Sequence, residues 1–347
     1  MAKISAKKIE RIDAVADDKG VITAAAMDQR GSLKKAIAKD KGVDLSTVTP
    51  EMLSEFKVAV SKVLTRHASA ILLDPEFGQA AMRVRAPGSG LLTSYENSGY
   101  DNDRPGRLPE LLPGYDVAKL VELGADAIKI LLYYTPFEDA VVDGRSVNDI
   151  KHEWVRGIGE ECAKNDAPFF LECVAYDPHG GSGQDLEFAR TKPEAVIAYT
   201  TEFSKPEYQV DVLKNEVPIN MAYVEGSKAN TTGETAYSRS EAKDLFNRAA
   251  EASTLPIIYL SAGVDDDVFR ETIELAGESG ANFAGVLCGR ATWKEGIPVY
   301  AKQGAAALED WLSDRGVKNI QALNAVLQQT ARSWTDKYGG RDQIQVA

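Results

Sequence analysis

The sequence predicts an α/β protein folded as one (β/α)8 TIM barrel, and two observations lead to this prediction. Short runs with β-strand character alternate with longer helical patterns, which is typical of a parallel α/β architecture. The runs number eight, which is the number of strands that closes such a barrel, and several are apolar on both faces. An open doubly wound sheet is the alternative. The predicted strands are residues 21–28, 69–74, 90–96, 126–134, 168–176, 210–218, 256–263 and 283–290.

Helical segments and loops fill the intervals between these strands. Residues 50–68 carry apolar side chains at helical spacing and predict an amphipathic helix. Its apolar positions are Leu53, Phe56, Val60 and Leu64. Residues 99–113 and 177–184 are rich in glycine, proline and polar side chains, so we expect two long loops there.

The length of the chain suits a single domain with insertions. A barrel of this class typically needs about 250 residues, and the chain has 347. We therefore expect one domain over residues 1–347, with its core at about residues 20–335. The polar tail from about Asp336 is expected to be loosely ordered.

The charge and composition exclude several classes of protein. The net charge of -12 opposes nonspecific binding to nucleic acid, and it means that an anionic substrate would need a local cationic pocket. No apolar run reaches the roughly 18 residues of a membrane span, and charges occupy the start of the chain where a signal peptide would be apolar. The three cysteines are too scattered for a disulfide framework. These features predict a cytoplasmic protein, and we expect a homo-oligomer because self-association is common.

Four charged residues interrupt otherwise apolar predicted strands. Asp28 ends the first strand, Lys129 lies within the fourth, Glu172 within the fifth and Lys214 within the sixth. An ion without a partner costs several kcal/mol to bury, and active sites of barrels lie at the carboxyl ends of the strands. The four side chains therefore predict one shared interior site.

Two interpretations of these charges remain open at this point. Lys129 and Glu172 lie on adjacent strands and could form a purely structural ion pair. Alternatively, Lys214 is a nucleophile, because an amine near a second ammonium and partly desolvated has a depressed pKa and can attack a ketone. Lys129 would then supply the second charge, and Glu172 would shuttle protons as the imine forms.

Glycine follows two late strands at positions that favour phosphate binding. The sequence reads SAG at residues 261–263 and CGR at residues 288–290, each at the end of a predicted strand. Loops after the seventh and eighth strands of a barrel often present backbone N–H groups to a phosphate. Arg290 adds a guanidinium that can bind a phosphate through two hydrogen bonds.

A metal ion that polarises a ketone is the alternative to an imine. Such a site needs several histidines at strand ends, whereas His67 and His152 fall in helical patterns and His179 in a loop. We therefore expect neither a metal nor another cofactor. The glycine-rich segment around His179 is expected to be a mobile loop, and Cys173 and Cys288 are expected to fill the core.

Eight stretches follow one another in order over roughly residues 20–335: AAAMDQRGSLK, ASAILLDPEFG, LLTSYENSGY, GADAIKILLYY, PFFLECVAYD, VDVLKNEVPINMAYVEG, IIYLSAGV and FAGVLCGRATW. Together they closely resemble the class I tagatose 1,6-bisphosphate aldolases. The resemblance implies a metal-independent Schiff-base aldolase of carbohydrate metabolism, as in lactose and galactose catabolism. It would cleave tagatose 1,6-bisphosphate to dihydroxyacetone phosphate and glyceraldehyde 3-phosphate.

The resemblance also implies a role for each matching residue. Lys214 is similar to the Schiff-base lysine and Glu172 to the acid/base carboxylate, while Lys129 and Asp28 resemble charged partners of the substrate hydroxyls. The phosphate at the ketone end would be bound by Ser261, Gly263, Gly289 and Arg290. The far phosphate would be bound by Gln29, Arg30 and Ser32, or these three residues only shape the first loop.

The implied mechanism leaves several alternatives open. Lys214 attacks the C2 ketone, Glu172 assists the loss of water, and the iminium accepts the electrons of the C3–C4 bond. Either Glu172 or Asp28 could take the C4 hydroxyl proton. Residues 135–150 and 177–192 depart from the family pattern, so fructose 1,6-bisphosphate or a sulfosugar phosphate is an alternative substrate. A non-catalytic sugar-phosphate-binding regulator and a barrel isomerase are alternatives of other classes.

Overall fold

Eight parallel strands close into a barrel in chain order, as the sequence predicts. The structure, a computed structural model, describes residues 2–97, 105–181 and 183–347. Val286 and Leu287 of the last strand pair with Thr23 and Ala24 of the first, so the sheet is closed and the open-sheet alternative is wrong. The strands are β1 (Ile22–Met27), β2 (Ala70–Leu73), β3 (Gly90–Ser94), β4 (Ala127–Tyr133), β5 (Phe169–Val174), β6 (Val212–Asn215), β7 (Ile257–Leu260) and β8 (Gly285–Cys288).

The α-helices begin and end at residues suited to those positions. The predicted amphipathic helix starts at Pro50, after a Thr49 side chain that accepts a hydrogen bond from Met52 N. Ser238 and Glu241 form a reciprocal capping box at the start of a later helix. The helices are α1 (Ala6–Ala14), α2 (Gly31–Lys41), α3 (Pro50–Leu64), α4 (Gln79–Val84), α5 (Val117–Glu122), α6 (Val147–Lys164), α7 (Leu186–Phe203), α8 (Arg239–Glu251), α9 (Asp266–Ser279), α10 (Arg290–Trp293), α11 (Ile297–Trp311) and α12 (Val317–Thr330).

The alternation of side chains along the strands places charged side chains inside the barrel, one layer above apolar ones. Phe170 and Val212 belong to the apolar cluster inside the barrel. Side chains two positions apart on a strand point to the same face, so Glu172 and Lys214 also point inward, one layer nearer the carboxyl ends. These two residues are paired in the register of β5 and β6. The fold thereby brings a carboxylate and an amine together in the mouth of the barrel.

The two ends of the chain close the opposite, amino-terminal end of the barrel. Ile9 and Ile12 of α1 pack in the same cluster as Trp334, and the indole N–H of Trp334 donates to Asp13 Oδ1 at 3.0 Å. Gln345–Val346 pairs in parallel with Lys3–Ile4. The expectation of a loosely ordered tail from Asp336 is therefore wrong, because buried apolar side chains anchor a segment whose composition is mainly polar.

The long loops differ from one another in structure. The predicted loop at residues 99–113 lies partly outside the described residues, and from residue 105 onward it contains a short 3-10 turn, Pro105–Arg107. The predicted loop at residues 177–184 is described except for residue 182. Within 135–150, Val141–Val142 and Arg145–Ser146 form a short antiparallel hairpin.

No helix in the described part of the chain is both long enough and apolar enough to span a membrane.

Candidate active site

The four charged residues singled out in the sequence meet at the carboxyl end of the barrel. Lys129 Nζ lies 2.9 Å from Asp28 Oδ2 and 2.7 Å from Glu172 Oε2. The same Glu172 oxygen lies 2.9 Å from Lys214 Nζ. Glu172 therefore connects the two lysines, and the structure brings the four predicted residues together.

A fifth charged residue, Glu96, completes the cluster. It follows β3, and its Oε1 lies 2.8 Å from Lys129 Nζ, so three carboxylates contact this one ammonium group. Burial alone would lower the pKa of Lys129, but the charges of Asp28, Glu172 and Glu96 outweigh it and hold that pKa well above its ordinary value. Lys129 is therefore a permanent cation.

The three carboxyl groups respond differently to this environment. Burial opposes ionisation of both Asp28 and Glu172, yet the charges of Lys129 and Lys214 lower their pKa values below the usual range. Burial also raises the pKa of Glu96, and there the attraction of Lys129 is too small to offset it. The lysines thus favour the ionised forms of Asp28 and Glu172, whereas burial favours the protonated form of Glu96.

The cluster forms one wall of a cavity of about 520 Å³ at the mouth of the barrel. Among the described residues, five cationic side chains and three carboxylates line it, so it is locally cationic in a protein with net charge -12. This is the kind of pocket that an anionic substrate requires. The lining is Asp28, Gln29, Arg30, Gly31, Ser32, Lys35, Glu96, Asn97, Lys129, Leu131, Tyr133, Glu172, Lys214 and Arg290.

Comparison with known proteins gives the family of the chain. Residues 22–295 match the model of the DeoC/LacD family aldolase. The chain belongs to this aldolase family. It is therefore a carbon–carbon lyase, as the sequence predicts.

Relatives of similar length support this assignment. A protein of Listeria innocua named tagatose 1,6-diphosphate aldolase is 46% identical over 346 residues, which cover 100% of this chain and 99% of the relative. Tagatose 1,6-diphosphate aldolase 2 of Enterococcus faecalis is 47% identical over 337 residues, covering 97% and 98%. The Staphylococcus aureus protein of the same name is 44% identical over 333 residues, covering 96% and 99%.

Solved structures share the fold of the aldolase. A Schiff-base-forming fructose-1,6-bisphosphate aldolase superposes with a TM-score of 0.54 at 16% identity, covering 92% of this chain and 99% of that one. A Corynebacterium glutamicum protein superposes with a TM-score of 0.55 at 14% identity, covering 92% of both chains. At these identities the likeness concerns the fold alone.

A buried ion pair supports the first loop of the aldolase from behind. Lys57 of α3 donates to the backbone oxygens of Met27 at 2.7 Å and Gln29 at 2.8 Å. Its Nζ also lies 2.5 Å from Asp74 Oδ1, and both side chains are fully buried. Burial lowers the pKa of Lys57, which Asp74 partly opposes. The ion pair thereby fixes the backbone on either side of Asp28.

The residues suggested for the ketone-end phosphate are only partly brought together. Arg290 lines the cavity and packs over Gly263, where a Cβ atom would lie 2.7 Å from its guanidinium carbon. Gly289 packs against Ala26 and Gln29 in the adjoining wall. Ser261 instead lines a second cavity. Of these four residues, Arg290 is the one that lines the cavity around Lys214.

Gln29, Arg30 and Ser32, suggested for the far phosphate, all line the cavity. The Arg30 guanidinium already donates to Glu76 Oε2 and to the backbone oxygen of Glu96, each at 2.7 Å. Helix α2 starts directly after Arg30, and no side chain caps its first N–H groups. Those N–H groups and the Ser32 hydroxyl are thus better placed than Arg30 to bind an anion.

The second cavity, of about 420 Å³, lies beside the first above β5, β6 and β7, and Tyr133 lines both. Its charged lining includes Lys192 and Glu216, whose side chains are 3.3 Å apart. The Arg107 guanidinium stacks between the rings of Tyr133 and Tyr176, at 4.9 and 4.8 Å from their centroids. Arg107 therefore stands at the boundary between the two cavities.

The histidines and cysteines of the aldolase lie away from the charged cluster. His152 stacks on Tyr134 along α6, and His179 lies in the loop after β5. In residues 2–97, 105–181 and 183–347, no group of three or more His, Cys, Asp or Glu side chains is arranged to hold a metal ion. Cys173 and Cys288 are buried, and burial raises the pKa of both, to about 12 for Cys288.

Glu96, Lys57 and Asp74 were not among the residues singled out in the sequence. Glu96 and Asp74 each end a predicted strand, as Asp28 does, so the same rule would have selected them. Lys57 directly follows Phe56 and lies three residues before Val60 on the apolar face of its helix. A lysine on such a face needs a buried partner, and that signal was present.

Proposed function

We propose that this aldolase cleaves tagatose 1,6-bisphosphate to dihydroxyacetone phosphate and glyceraldehyde 3-phosphate through a Schiff base on Lys214. One observation carries the proposal: Lys214 Nζ lies 2.9 Å from Glu172 Oε2, inside a cationic cavity at the carboxyl end of the barrel. The substrate is taken from the names of relatives that are 44 to 47% identical over nearly the whole chain.

The contacts of the two lysines support Lys214 as the nucleophile. Lys129 is fully buried among three carboxylates that keep it protonated, so it has no lone pair to offer. Lys214 contacts one carboxylate, Glu172, and also lines the cavity. An amine attacks a carbonyl only after losing a proton, and Glu172 is within hydrogen-bond distance to receive it.

The proposed reaction proceeds through an imine. Lys214 adds to the C2 ketone, Glu172 returns a proton to the departing oxygen as water, and a positively charged iminium remains. When the C3–C4 bond breaks, its electron pair moves toward the iminium nitrogen and leaves an enamine. Protonation at C3 and hydrolysis then release dihydroxyacetone phosphate and restore Lys214.

The phosphates of the substrate would lie on either side of Lys214. For the ketone-end phosphate, support comes from Arg290, which lines the cavity, packs over Gly263 and follows Gly289 in the chain, whereas Ser261 lines the neighbouring cavity. For the far phosphate, support comes from Gln29, Ser32 and the uncapped start of α2.

We also propose that the enzyme needs no metal or cofactor and that it is a cytoplasmic homo-oligomer. Size-exclusion chromatography with light scattering would test the oligomeric state.

Borohydride reduction in the presence of dihydroxyacetone phosphate and EDTA tests the imine. We expect a stable adduct on Lys214, located by peptide mass spectrometry, and its loss in Lys214→Met. Lys192→Met is the matched control, because Lys192 is also buried and paired with a glutamate, and it should keep the adduct. If the folded enzyme forms no adduct on Lys214, the proposal is refuted.

A panel of substrates tests the identity of the sugar. With the imine established, kcat/KM for tagatose 1,6-bisphosphate is expected to equal or exceed that for fructose 1,6-bisphosphate or a sulfosugar phosphate. Higher kcat/KM for one of the latter would correct the substrate and leave the mechanism intact. An adduct without turnover of any of them would instead favour a sugar-phosphate-binding regulator.

A further inference from the structure

Glu96 occupies a position in the charged cluster that the mechanism above does not use. It lies at the carboxyl end of β3, is 4% exposed and lines the cavity beside Lys129. Its backbone is held on two sides: Arg30 donates to its carbonyl oxygen at 2.7 Å, and residue 96 bridges to Leu111. The carboxyl group is therefore fixed in place at the wall of the cavity.

One of its two oxygens has a partner and the other has none. Oε1 accepts a hydrogen bond from Lys129 Nζ at 2.8 Å. Oε2 is buried, and no hydrogen-bond partner to it is found among the described residues. A buried carboxyl oxygen left without a partner is costly, and a substrate hydroxyl in the cavity would satisfy it.

The charges around Lys129 also leave one carboxyl group free to exchange a proton. Asp28, Glu96 and Glu172 surround a single ammonium group, so full ionisation would leave an excess of buried negative charge when Lys214 is the neutral nucleophile. Among the described residues, the charged groups with the largest influence on Glu96 are Lys129, Asp28 and Arg30. Burial raises the pKa of Glu96, whereas the lysines lower those of Asp28 and Glu172.

A carboxylate with a depressed pKa is a weak base, since it holds a proton poorly. General acid–base catalysis is most effective when the pKa of the group lies near the working pH. By this criterion Glu96 suits proton exchange better than Asp28, which has the stable role of a counterion for Lys129. Glu172, in turn, lies 2.9 Å from Lys214 Nζ, and the proposed mechanism assigns it the proton transfers at C2.

We propose that Glu96 is a catalytic residue that exchanges the C4 hydroxyl proton at Oε2. The step rests on the proposed function. In cleavage the O–H bond breaks, the proton passes to Glu96, and the O–H electron pair becomes the second bond of the aldehyde C=O. The C3–C4 electron pair moves to the C2–C3 bond of the enamine, and the C2=N pair moves to the nitrogen. In condensation Glu96 returns the proton to the aldehyde oxygen.

The test compares full turnover with reactions that need no C4 hydroxyl. Glu96→Gln should lower kcat for cleavage by roughly 100-fold or more. Dihydroxyacetone phosphate has no C4 atom, so its borohydride trapping on Lys214 and its C3 proton exchange with solvent should stay near the wild-type rate. Glu96→Asp should recover part of the lost cleavage, and the acidic limb of the wild-type kcat profile should disappear in Glu96→Gln.

Matched variants make each outcome decisive. Glu161→Gln is the control, because Glu161 accepts hydrogen bonds from Tyr95 and Val117 behind the same strand without lining the cavity, and it should turn over normally. The proposal is overturned if Glu96→Gln cleaves normally while Asp28→Asn does not, or if Glu96→Gln loses trapping, exchange and cleavage to the same degree. If Glu96→Gln does not fold, Glu96→Asp takes its place. The assignment is supported if Glu96→Asp traps normally and its cleavage defect is at least as large as that of Asp28→Asn. It is refuted if Glu96→Asp cleaves normally. Absence of an adduct in the wild type refutes the Schiff base itself, which is a separate result.

Discussion

Lys129 and Lys214 are both buried lysines at the same end of the barrel, yet their neighbours give them different chemistry. Both line the cavity, but Lys129 has three carboxylate contacts whereas Lys214 has one. The three carboxylates favour the protonated form of Lys129. The number of acidic neighbours, more than burial, separates the electrostatic residue from the nucleophile.

Replacement of Lys129 tests this electrostatic role. Lys129→Met leaves Asp28, Glu96 and Glu172 without their shared cation, and breaking a buried ion pair in this way costs about 3–5 kcal/mol. In the variant the buried carboxyls should bind protons in the folded state at higher pH than in the unfolded chain. The folded state is then stabilised as pH falls, so the loss of unfolding free energy should be larger at pH 8 than at pH 5. Urea denaturation at both values measures it, and equal losses would contradict this account.

At the scale of single residues, the sequence was informative where a charge interrupts an apolar strand. Asp28, Lys129, Glu172 and Lys214 could be selected because burial of an unpaired ion is costly, so they had to meet. The same rule would also have selected Glu96, which ends a predicted strand. Its pairing with Lys129 could not be predicted, since that pairing depends on which end residues of β3 turn inward. The division of roles among the three carboxylates depends on distances that only the closed barrel defines.

Helix α6 carries another buried lysine, Lys151, into a network of aromatic rings between the two long loops. Lys151 Nζ lies 3.1 Å from Tyr176 Oη, and the Tyr176 hydroxyl donates to Glu138. Arg107 stacks on the same tyrosine ring. Burial lowers the pKa of Lys151 to about 7, and the more distant charge of Glu138 only partly opposes this. The helix thus couples a titrating amine to the residues at the boundary between the cavities.

The stability of the protein should therefore depend on pH through Lys151. Its pKa is lower in the folded state than in the unfolded chain, so above about pH 7 the unfolded state binds more protons and stability rises with pH. The unfolding free energy of the wild type minus that of Lys151→Met should increase from pH 7 to pH 10, by at most ~1.4 kcal/mol per pH unit. Lys164→Met, at the exposed end of the same helix, is the control. If the difference in unfolding free energy between the wild type and Lys151→Met does not change with pH, the effect is disproved.

At the scale of elements, the existence and order of the strands could be predicted, but their ends could not. Residues 210–218 were predicted as one strand and Val212–Asn215 is observed, while 256–263 shortens to Ile257–Leu260. In both cases the chain leaves the sheet early because the following residues, Glu216 and Ser261, line a cavity. An apolar pattern in the sequence indicates which residues are buried. Buried residues continue past the last hydrogen bond between the strands, so the pattern does not locate the end of a strand.

The whole molecule separates its stabilising and reactive ends. The cavities lie at the carboxyl ends of the strands, while α1 and the C-terminal tail close the amino ends around Trp334. That tail was expected to be loose because most of its residues are polar. Ile344 within the tail and Trp334 just before it are nevertheless buried, and Gln345–Val346 pairs with Lys3–Ile4.

Removal of the indole tests this separation. Trp334→Ala should lower the free energy of unfolding by about 3–5 kcal/mol, since it empties a well-packed site and breaks the bond to Asp13. The kcat of the folded variant should match the wild type because the reacting groups lie at the other end. Asp342→Ala, an exposed change in the same tail, is the control for denaturation. A large loss of kcat in a folded Trp334→Ala would show that the two ends are coupled.

The pairing of Lys3–Ile4 with Gln345–Val346 has a practical consequence for immobilised enzyme. Both segments lie at the face of the barrel opposite the mouth, so a tether attached at either one would anchor the base of the molecule to a bead. Every copy would then present its mouth to the flowing solution. A packed reactor built in this way should retain the turnover of the free enzyme, whereas attachment through lysines at random would block part of the mouths.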